Sequence, residues 1–420
     1  MAVRAGFILG KEFDFVDSPG SIVDTSFLDD LPSEYRKRSA KPRMTWPGMT
    51  VDPKDHISAD VAIAWYIKKR YPEIEVDFIF PQDIKLDRLK SNTCNFVVGY
   101  DILDALCEGE EQLAEVENAF RNCGNIMPSW EVQEAIYMKS KYMKKATDLG
   151  IPVAPTIYAS QQDRNPESLL SEIQSRGWKT FLIKQSYSCG SIGLKKLQVA
   201  DCEANIQILQ DYFDEYAECP EYIVQEFIEG FSRNWEVRCF WFNSQFLYAI
   251  GNRAAFSTAE GEKVGIISED ELPPHFLQRA KEIGWEALKS LPDDNTLTCI
   301  RTDVGCADSE IHDKDYQHWN DTAQTFFLNE VEYGGTTYFP RALKFDCIPL
   351  WADHYAKKAL EIHQTMKQVP FGKLLQGGYF KGNGIASDTC STSASNLCGL
   401  PSYSDKDATT DEDSVSTGSR

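Results

Sequence analysis

Short apolar runs and amphipathic stretches alternate along the first 125 or so residues. Residues 5–9, 76–80 and 95–100 read as strands, whereas 58–70 and 110–120 place apolar side chains at helical spacing. Strand and helix in turn predict a small α/β domain around a parallel sheet. Residues 129–149 predict one helix that stops at Gly150, a residue suited to a helix C-terminus, before Ile151-Pro152-Val153-Ala154-Pro155. Strands are predicted again at 180–184, 221–227, 236–242, 245–250, 297–304 and 325–331, with helices between some of them and a last helix at 355–366. Past Gly384 the residues are mostly Ser, Thr, Asp and Gly, and 402–420 offers almost nothing to bury, which predicts a disordered tail over 385–420. No internal repeat of solenoid or propeller length interrupts this order.

Composition narrows the function classes. The 420 residues are 42% apolar and 25% charged, as in an ordinary folded chain. With 43 Lys and Arg against 64 Asp and Glu the net charge is −21, which argues against partnership with nucleic acid or an anionic membrane surface. An anionic ligand must therefore be met by a local basic pocket. Apolar runs such as Phe181-Leu182-Ile183 and Phe326-Phe327-Leu328 fall far short of the about 20 residues of a membrane helix. Near the N-terminus Phe7-Ile8-Leu9 is too short for a signal peptide, so the chain reads as cytoplasmic. The 12 cysteines are scattered with no Cys-x-x-Cys pair and read as free thiols. The six histidines are dispersed as well, and His312 and His318 read as a chance surface pair. Residues 34–53, with Lys37-Arg38 and Lys41-Pro42-Arg43, read as a solvated basic loop, with a place beside an active site as the alternative.

Two segments carry chemistry. In the first, Lys184 ends an apolar strand and is followed by Gln185-Ser186-Tyr187-Ser188-Cys189-Gly190-Ser191-Ile192-Gly193. A lysine there can place an ammonium on a nucleotide phosphate while a small-residue loop closes over the rest, although such a loop can also be a plain turn. It is not a P-loop, since no Gly-x-x-x-x-Gly-Lys-Ser/Thr is present. In the second segment, Ile300-Arg301-Thr302-Asp303-Val304 and Leu328-Asn329-Glu330-Val331-Glu332 look like adjacent strands. Glu330 and Glu332 are two apart and share a strand face, and Asp303 can join them. Three such carboxylates suit Mg²⁺ with substrate phosphates; an exposed acidic sheet face is the alternative.

In this order the motifs resemble the ATP-grasp superfamily, in particular its D-alanine:D-alanine ligase and glutathione synthetase-like branch, over roughly residues 129–371. The resemblance implies a fold of class α/β, with a small parallel-sheet α/β domain at 1–128 and a two-part ATP-grasp unit at 129–228 and 229–384, ahead of the tail at 385–420. It implies ATP and Mg²⁺ as cofactors, with Mn²⁺ able to substitute. Lys139, after Met138, and Lys184 would be nucleotide lysines, and Ser186, Gly190, Ser191 and Gly193 part of the phosphate-covering loop. Gln225, Glu226, Phe227 and Ile228 would form the hinge, with adenine read by backbone groups of Glu226 and Ile228. Glu236 would hold ribose, Arg238 a phosphate or substrate, and Arg301 the transferred phosphoryl group; Lys184, Arg238 and Arg301 are thus the catalytic candidates. Asp303, Glu330 and Glu332 match the metal ligands, although the third is commonly Asn. The activity implied is an ATP-dependent carboxylate–amine (or thiol) ligase working through an acyl-phosphate, on small-molecule substrates. A kinase of a small polyol such as an inositol phosphate is the alternative, and an idle nucleotide-binding module the third reading. Arg253 and Arg341 are candidate carboxylate clamps. Dimers are common in the family.

Overall fold

Parallel pairing organises the first part of the chain. After β1 (Val3–Ile8) come a two-residue ribbon of β2 (Lys37–Arg38) and β3 (Asp55–His56), then β4 (Ile74–Ile79), β5 (Cys94–Val97) and β6 (Ile126–Met127). The larger strands form one parallel sheet in the order β4-β1-β5-β6. The structure, a computed structural model, describes residues 3–368 apart from 11–14, 18–19, 39–54, 100–109, 162–163, 188–192, 254–264, 293–294, 314–321, 323–324 and 335–337. Most of the basic loop at 34–53, Gly190 and Ser191 of the loop after Lys184, His318 and the tail at 385–420 lie outside these residues. The helix Ala59–Arg70 buries residues nearly all round, because it is packed between this sheet and the C-terminal helix Cys347–Gln368.

The single helix expected at 129–149 is two helices, Trp130–Tyr137 and Lys139–Asp148. Met138 leaves the helical region at φ −83°, ψ 73° and bridges to Tyr187, while the Lys139 amide donates to the Ser186 carbonyl at 2.9 Å. Tertiary pairing overrides a helical sequence pattern here. Gly150, at φ +75°, turns the chain in the left-handed region open to glycine.

The next four strands, β7 (Thr156–Ser160), β8 (Thr180–Gln185), β9 (Lys195–Gln198) and β10 (Glu221–Glu226), make an antiparallel sheet in the order β7-β10-β8-β9. Its alternation is clean. Ile157, Ala159, Phe181, Ile183, Tyr222 and Val224 form a core with the helices Pro166–Ser175, Val199–Ala204 and Gln207–Glu215, leaving Lys184, Ile223 and Gln225 for the opposite face.

Five more strands follow: β11 (Glu236–Phe242), β12 (Gln245–Arg253), β13 (Gly265–Ser268), β14 (Ile300–Cys306) and β15 (Phe326–Tyr333). They pair antiparallel in the order β13-β12-β11-β14-β15. On the back, Val237, Cys239, Trp241, Ala249 and Val304 belong to the same core as Phe276, Ala280 and Ile283 of the helix Pro274–Leu288. That helix presses so close at Gly284 that a β-carbon there would sit 2.4 Å from Thr302 Oγ1. On the front, Phe240, Phe242, Tyr248 and Ile250 share a core with Trp351 and Tyr355 of the C-terminal helix and with Phe7 and Phe96 of the parallel sheet. The front then changes from apolar to charged at Glu236, Arg238, Arg301 and Asp303. Among the described residues no helix is long and apolar enough to cross a membrane.

Eight described cysteines are buried free thiols, as the sequence suggested. His312, read from the sequence as a surface histidine, is corrected by the structure. It is 1% exposed, with Nε2 at 2.7 Å from Asp308 Oδ2 and Nδ1 at 2.9 Å from His275 Nε2. Its backbone N–H donates to Asn234 Oδ1 at 2.8 Å, so this histidine anchors the chain after β14 to the body of the fold.

Candidate active site

Cross-strand register builds the site. β11 and β14 pair Arg238 with Asp303 and Phe240 with Arg301; β14 and β15 pair Arg301 with Glu332 and Asp303 with Glu330. Paired residues share a sheet face, so Arg238-Asp303-Glu330 and Arg301-Glu332 form adjacent rows on the front. The register shifts between Asp303 and Val304, leaving Asn329 out of the pairing. Its amide donates to Glu236 Oε1 at 2.7 Å, while Glu236 Oε2 accepts from Arg238 Nε at 2.9 Å and Asn252 Nδ2 at 3.2 Å.

Like charges buried together raise one another's free energy, and this site interleaves them with bases. Arg301 grips Asp303 through two bonds of 2.8 Å, from Nε to Oδ1 and from Nη2 to Oδ2. Arg238 Nε lies 3.6 Å from Asp303 Oδ2. Lys139 donates to Glu330 and lies 3.5 Å from Glu332 Oε1. Lys184 faces the group from β8 and feels Glu330, Glu332 and Glu236. The three carboxylates expected to hold metal therefore share a face as anticipated, but each is drawn to a base. Among the described residues no three His, Cys, Asp or Glu are gathered into a metal-holding group.

Burial sets the electrostatics. It pushes the Lys184 ammonium down to about 8, with Glu330 pulling the other way and Lys139 adding to the push. For Lys139 burial also favours the neutral form, but Glu330 and Glu332 outweigh it and hold the ammonium well above its usual range. Burial raises the Asp303 carboxyl beyond what Arg301 and Arg238 offset, and raises Glu332 against the pull of Lys139. Glu330 goes the other way: burial would lift it, but Lys139 and Lys184 keep it low.

The remaining candidates sit around this cluster. Ser186 is fully buried, and its Oγ has no hydrogen-bond partner among the described residues. Gly193, at φ +69°, ends the small-residue loop, and its carbonyl accepts from Tyr212 Oη at 2.7 Å. Gln225 donates through Nε2 to Thr156 Oγ1 at 3.1 Å. The Glu226 N–H is taken by the Pro155 carbonyl at 3.0 Å, which leaves the carbonyl as the backbone group this residue can offer. Phe227 lies under the Lys196 ammonium at 3.5 Å, and Ile228 precedes the short helix Glu229–Arg233. Arg253 follows Asn252 at the end of β12 and so faces away from Glu236, with its guanidinium over the Trp235 ring at 4.4 Å. Arg341 is half-buried beyond β15.

No protein-family model matches the chain, and no curated protein matches it in sequence. Solved structures do. D-cycloserine synthetase DcsG is similar at a TM-score of 0.52 with 15% identity, over 71% of this chain and 93% of that one. The chain has the ATP-grasp fold. The D-alanine–D-alanine ligase from Bacillus anthracis, complexed with ATP, is similar at a TM-score of 0.49 and 14% identity, over 87% of this chain and 99% of its own. ATP-grasp ligase PsnB, complexed with a minimal precursor, is similar at 0.47 and 13% identity, over 70% and 94%.

The residues that this ATP-grasp fold brings together suit a nucleotide and its divalent cation. Ser186 offers an orphaned hydroxyl, Lys184 an ammonium whose charge burial disfavours, and Asp303 and Glu332 carboxyl groups that burial raises. Mg²⁺ needs only one or two carboxylates when phosphates complete its shell. Three participants escaped the sequence reading. Asn252 and Asn329 hold Glu236, and the Tyr142 hydroxyl accepts the Val331 N–H at 3.2 Å. Nothing in the sequence marks the bulge that turns Asn329 toward Glu236.

Proposed function

We propose that the chain is an ATP-dependent ligase that joins a small-molecule carboxylate to an amine, releasing ADP and phosphate. The observation that carries this reading is the buried to half-buried set of alternating charges on the front of β11, β14 and β15, faced by Lys139 and Lys184. A carboxylate is a poor electrophile because its leaving group would be oxide. In this reading a substrate carboxylate oxygen attacks the γ-phosphorus of ATP and ADP leaves, forming an acyl-phosphate. The amine then adds to the carbonyl carbon, loses a proton, and phosphate departs. Lys139 and Lys184 offset phosphate charge, and Arg301 and Arg238 steady the transferred group, so catalysis is electrostatic and needs no protein nucleophile. Mg²⁺, or Mn²⁺ in its place, would be held by Asp303, Glu330 and Glu332 and would neutralise phosphate charge. Glu236 would meet the ribose, Gln225, Glu226, Phe227 and Ile228 would line the adenine, and Ser186, Gly190, Ser191 and Gly193 would cover the phosphates. Residues 129–228 and 229–384 would be the two halves that hold the nucleotide between them.

A polyol phosphate kinase would need a surplus of bases to hold its substrate. Here Lys139, Lys184, Arg238 and Arg301 are matched by Glu236, Asp303, Glu330 and Glu332. The deciding experiment omits the amine and adds hydroxylamine. A ligase consumes ATP only with its carboxylate and yields a hydroxamate; a phosphate ester on a hydroxyl group in place of the hydroxamate would overturn the proposal.

A further inference from the structure

Lys139 owes its position to the broken helix. Its amide is fixed on the Ser186 carbonyl at 2.9 Å, and one turn later the Tyr142 hydroxyl takes the Val331 N–H, which joins this helix to β15. The side chain, 6% exposed, enters between Glu330 and Glu332: it donates to the first and lies 3.5 Å from the second. Asp303 has both of its oxygens on Arg301. One ammonium thus sits on both β15 carboxylates; Arg301, held on Asp303 and opposite Glu332 in the ladder, also acts on both, and Lys184 acts on Glu330 from another sheet.

We infer that Lys139 is a resident cation of Glu330 and Glu332 that a divalent cation must displace, so that metal binds weakly until a nucleotide draws the ammonium onto its phosphates. This rests on the reading of Glu330 and Glu332 as metal carboxylates. A divalent ion and an ammonium on the same carboxylate oxygens repel each other strongly at such distances. A nucleotide supplies new anionic oxygens for the ammonium and frees the carboxylates, so metal and nucleotide bind with positive linkage. A lysine that only touched phosphate would leave the affinity for metal alone unchanged.

The test measures Mn²⁺ binding to the full chain without nucleotide, by titration calorimetry and by the rise in melting temperature with Mn²⁺. Lys139→Met and Lys139→Gln are compared with wild type and with Lys184→Met. The Gln variant leaves Glu330 a hydrogen-bond donor and decides the matter if the Met variant does not fold. Both Lys139 variants should bind Mn²⁺ about tenfold tighter than wild type and gain more thermal protection from it, while binding MgATP more weakly. Lys184→Met should weaken MgATP binding without the gain in Mn²⁺ affinity. If the Lys139 variants lose MgATP affinity but bind Mn²⁺ no tighter, the inference falls and the ligase reading stands. Equal tightening in Lys184→Met would reduce the effect to general charge and also overturn it. Wild type that binds no MgATP and forms no hydroxamate would remove the ligase reading and this inference together.

Discussion

Replacing Arg301 by Met takes from Asp303 both of its hydrogen bonds, and the two side chains are only 8% and 1% exposed. Removing one partner of a buried ion pair costs about 3–5 kcal/mol, chiefly because the other charge is left without compensation. Arg238, 3.6 Å from Asp303, remains as a partial substitute, which places Arg301→Met at about 3 kcal/mol, the lower end of that range. Asp303→Leu should cost a similar about 3 kcal/mol by leaving the guanidinium buried. The double variant removes both members of the pair, leaves Glu332 its Lys139 and Arg238 its Glu236, and fills the space with apolar side chains, so its loss should be nearer about 1 kcal/mol. Urea unfolding followed by tryptophan fluorescence reads this directly. Trp241, on the neighbouring strand, is bonded through Nε1 to Thr302 between the two residues at 2.9 Å. The reasoning is refuted if the double variant loses the sum of the two single losses to within about 0.5 kcal/mol, since that is how independent sites behave.

Lys184→Ala should weaken MgATP binding by about 2–3 kcal/mol in a calorimetric titration, the scale of a lost charge-assisted contact. Because burial lowers the Lys184 ammonium from 10.5 to about 8, MgATP affinity should decline as pH rises through 8, and Lys184→Met should flatten that profile. The same shift means the charged lysine disfavours the fold below about 8, so its contribution to stability improves as pH climbs from 8 toward 10.5. Glu330→Gln should abolish turnover with the fold intact by circular dichroism, and excess Mg²⁺ or Mn²⁺ should rescue it only in part. Glu332→Asn should keep substantial turnover if its oxygen is what the metal needs, and complete loss would assign this glutamate another task.

How far the sequence could be read depended on the range of the interaction. Strands of the five-stranded sheet were legible because Glu236–Phe242 opens with polar and apolar residues in alternation and closes on an apolar, aromatic run, and because Arg301, Asp303, Glu330 and Glu332 sit at spacings of two that put them on one face. The helix break at Met138 was not, since its cause is a strand bridge to Tyr187, distant in sequence. The short strand Ile126–Met127 and the helix Leu86–Ser91 were missed because two and six residues carry too little periodicity to register. At the site, the identity of the charged residues was evident but their partners were not. Arg301 to Asp303, Lys139 to Glu330 and Asn329 to Glu236 depend on strand position, an aimed helix end and a bulge respectively. His312 shows the converse: a histidine in an acidic stretch looked exposed, yet Asp308 and His275 give it the hydrogen bonds that burial demands.

The sheet that carries Lys184 packs its own apolar residues, Phe181, Tyr222 and Val224 among them, into a nucleus of its own, and of its strand residues Ile223 belongs to the neighbouring one. Such a nucleus can melt as a cooperative unit while the remainder of the chain keeps its structure. A ligand held at once by Lys184 and by Arg301 binds only when that unit is formed and seated, so it stabilises the unit in proportion to the logarithm of one plus the ratio of free ligand to Kd. Backbone amides of β8 and β10 would then exchange with solvent more slowly as ligand concentration rises, wherever they open with this unit rather than with the whole chain.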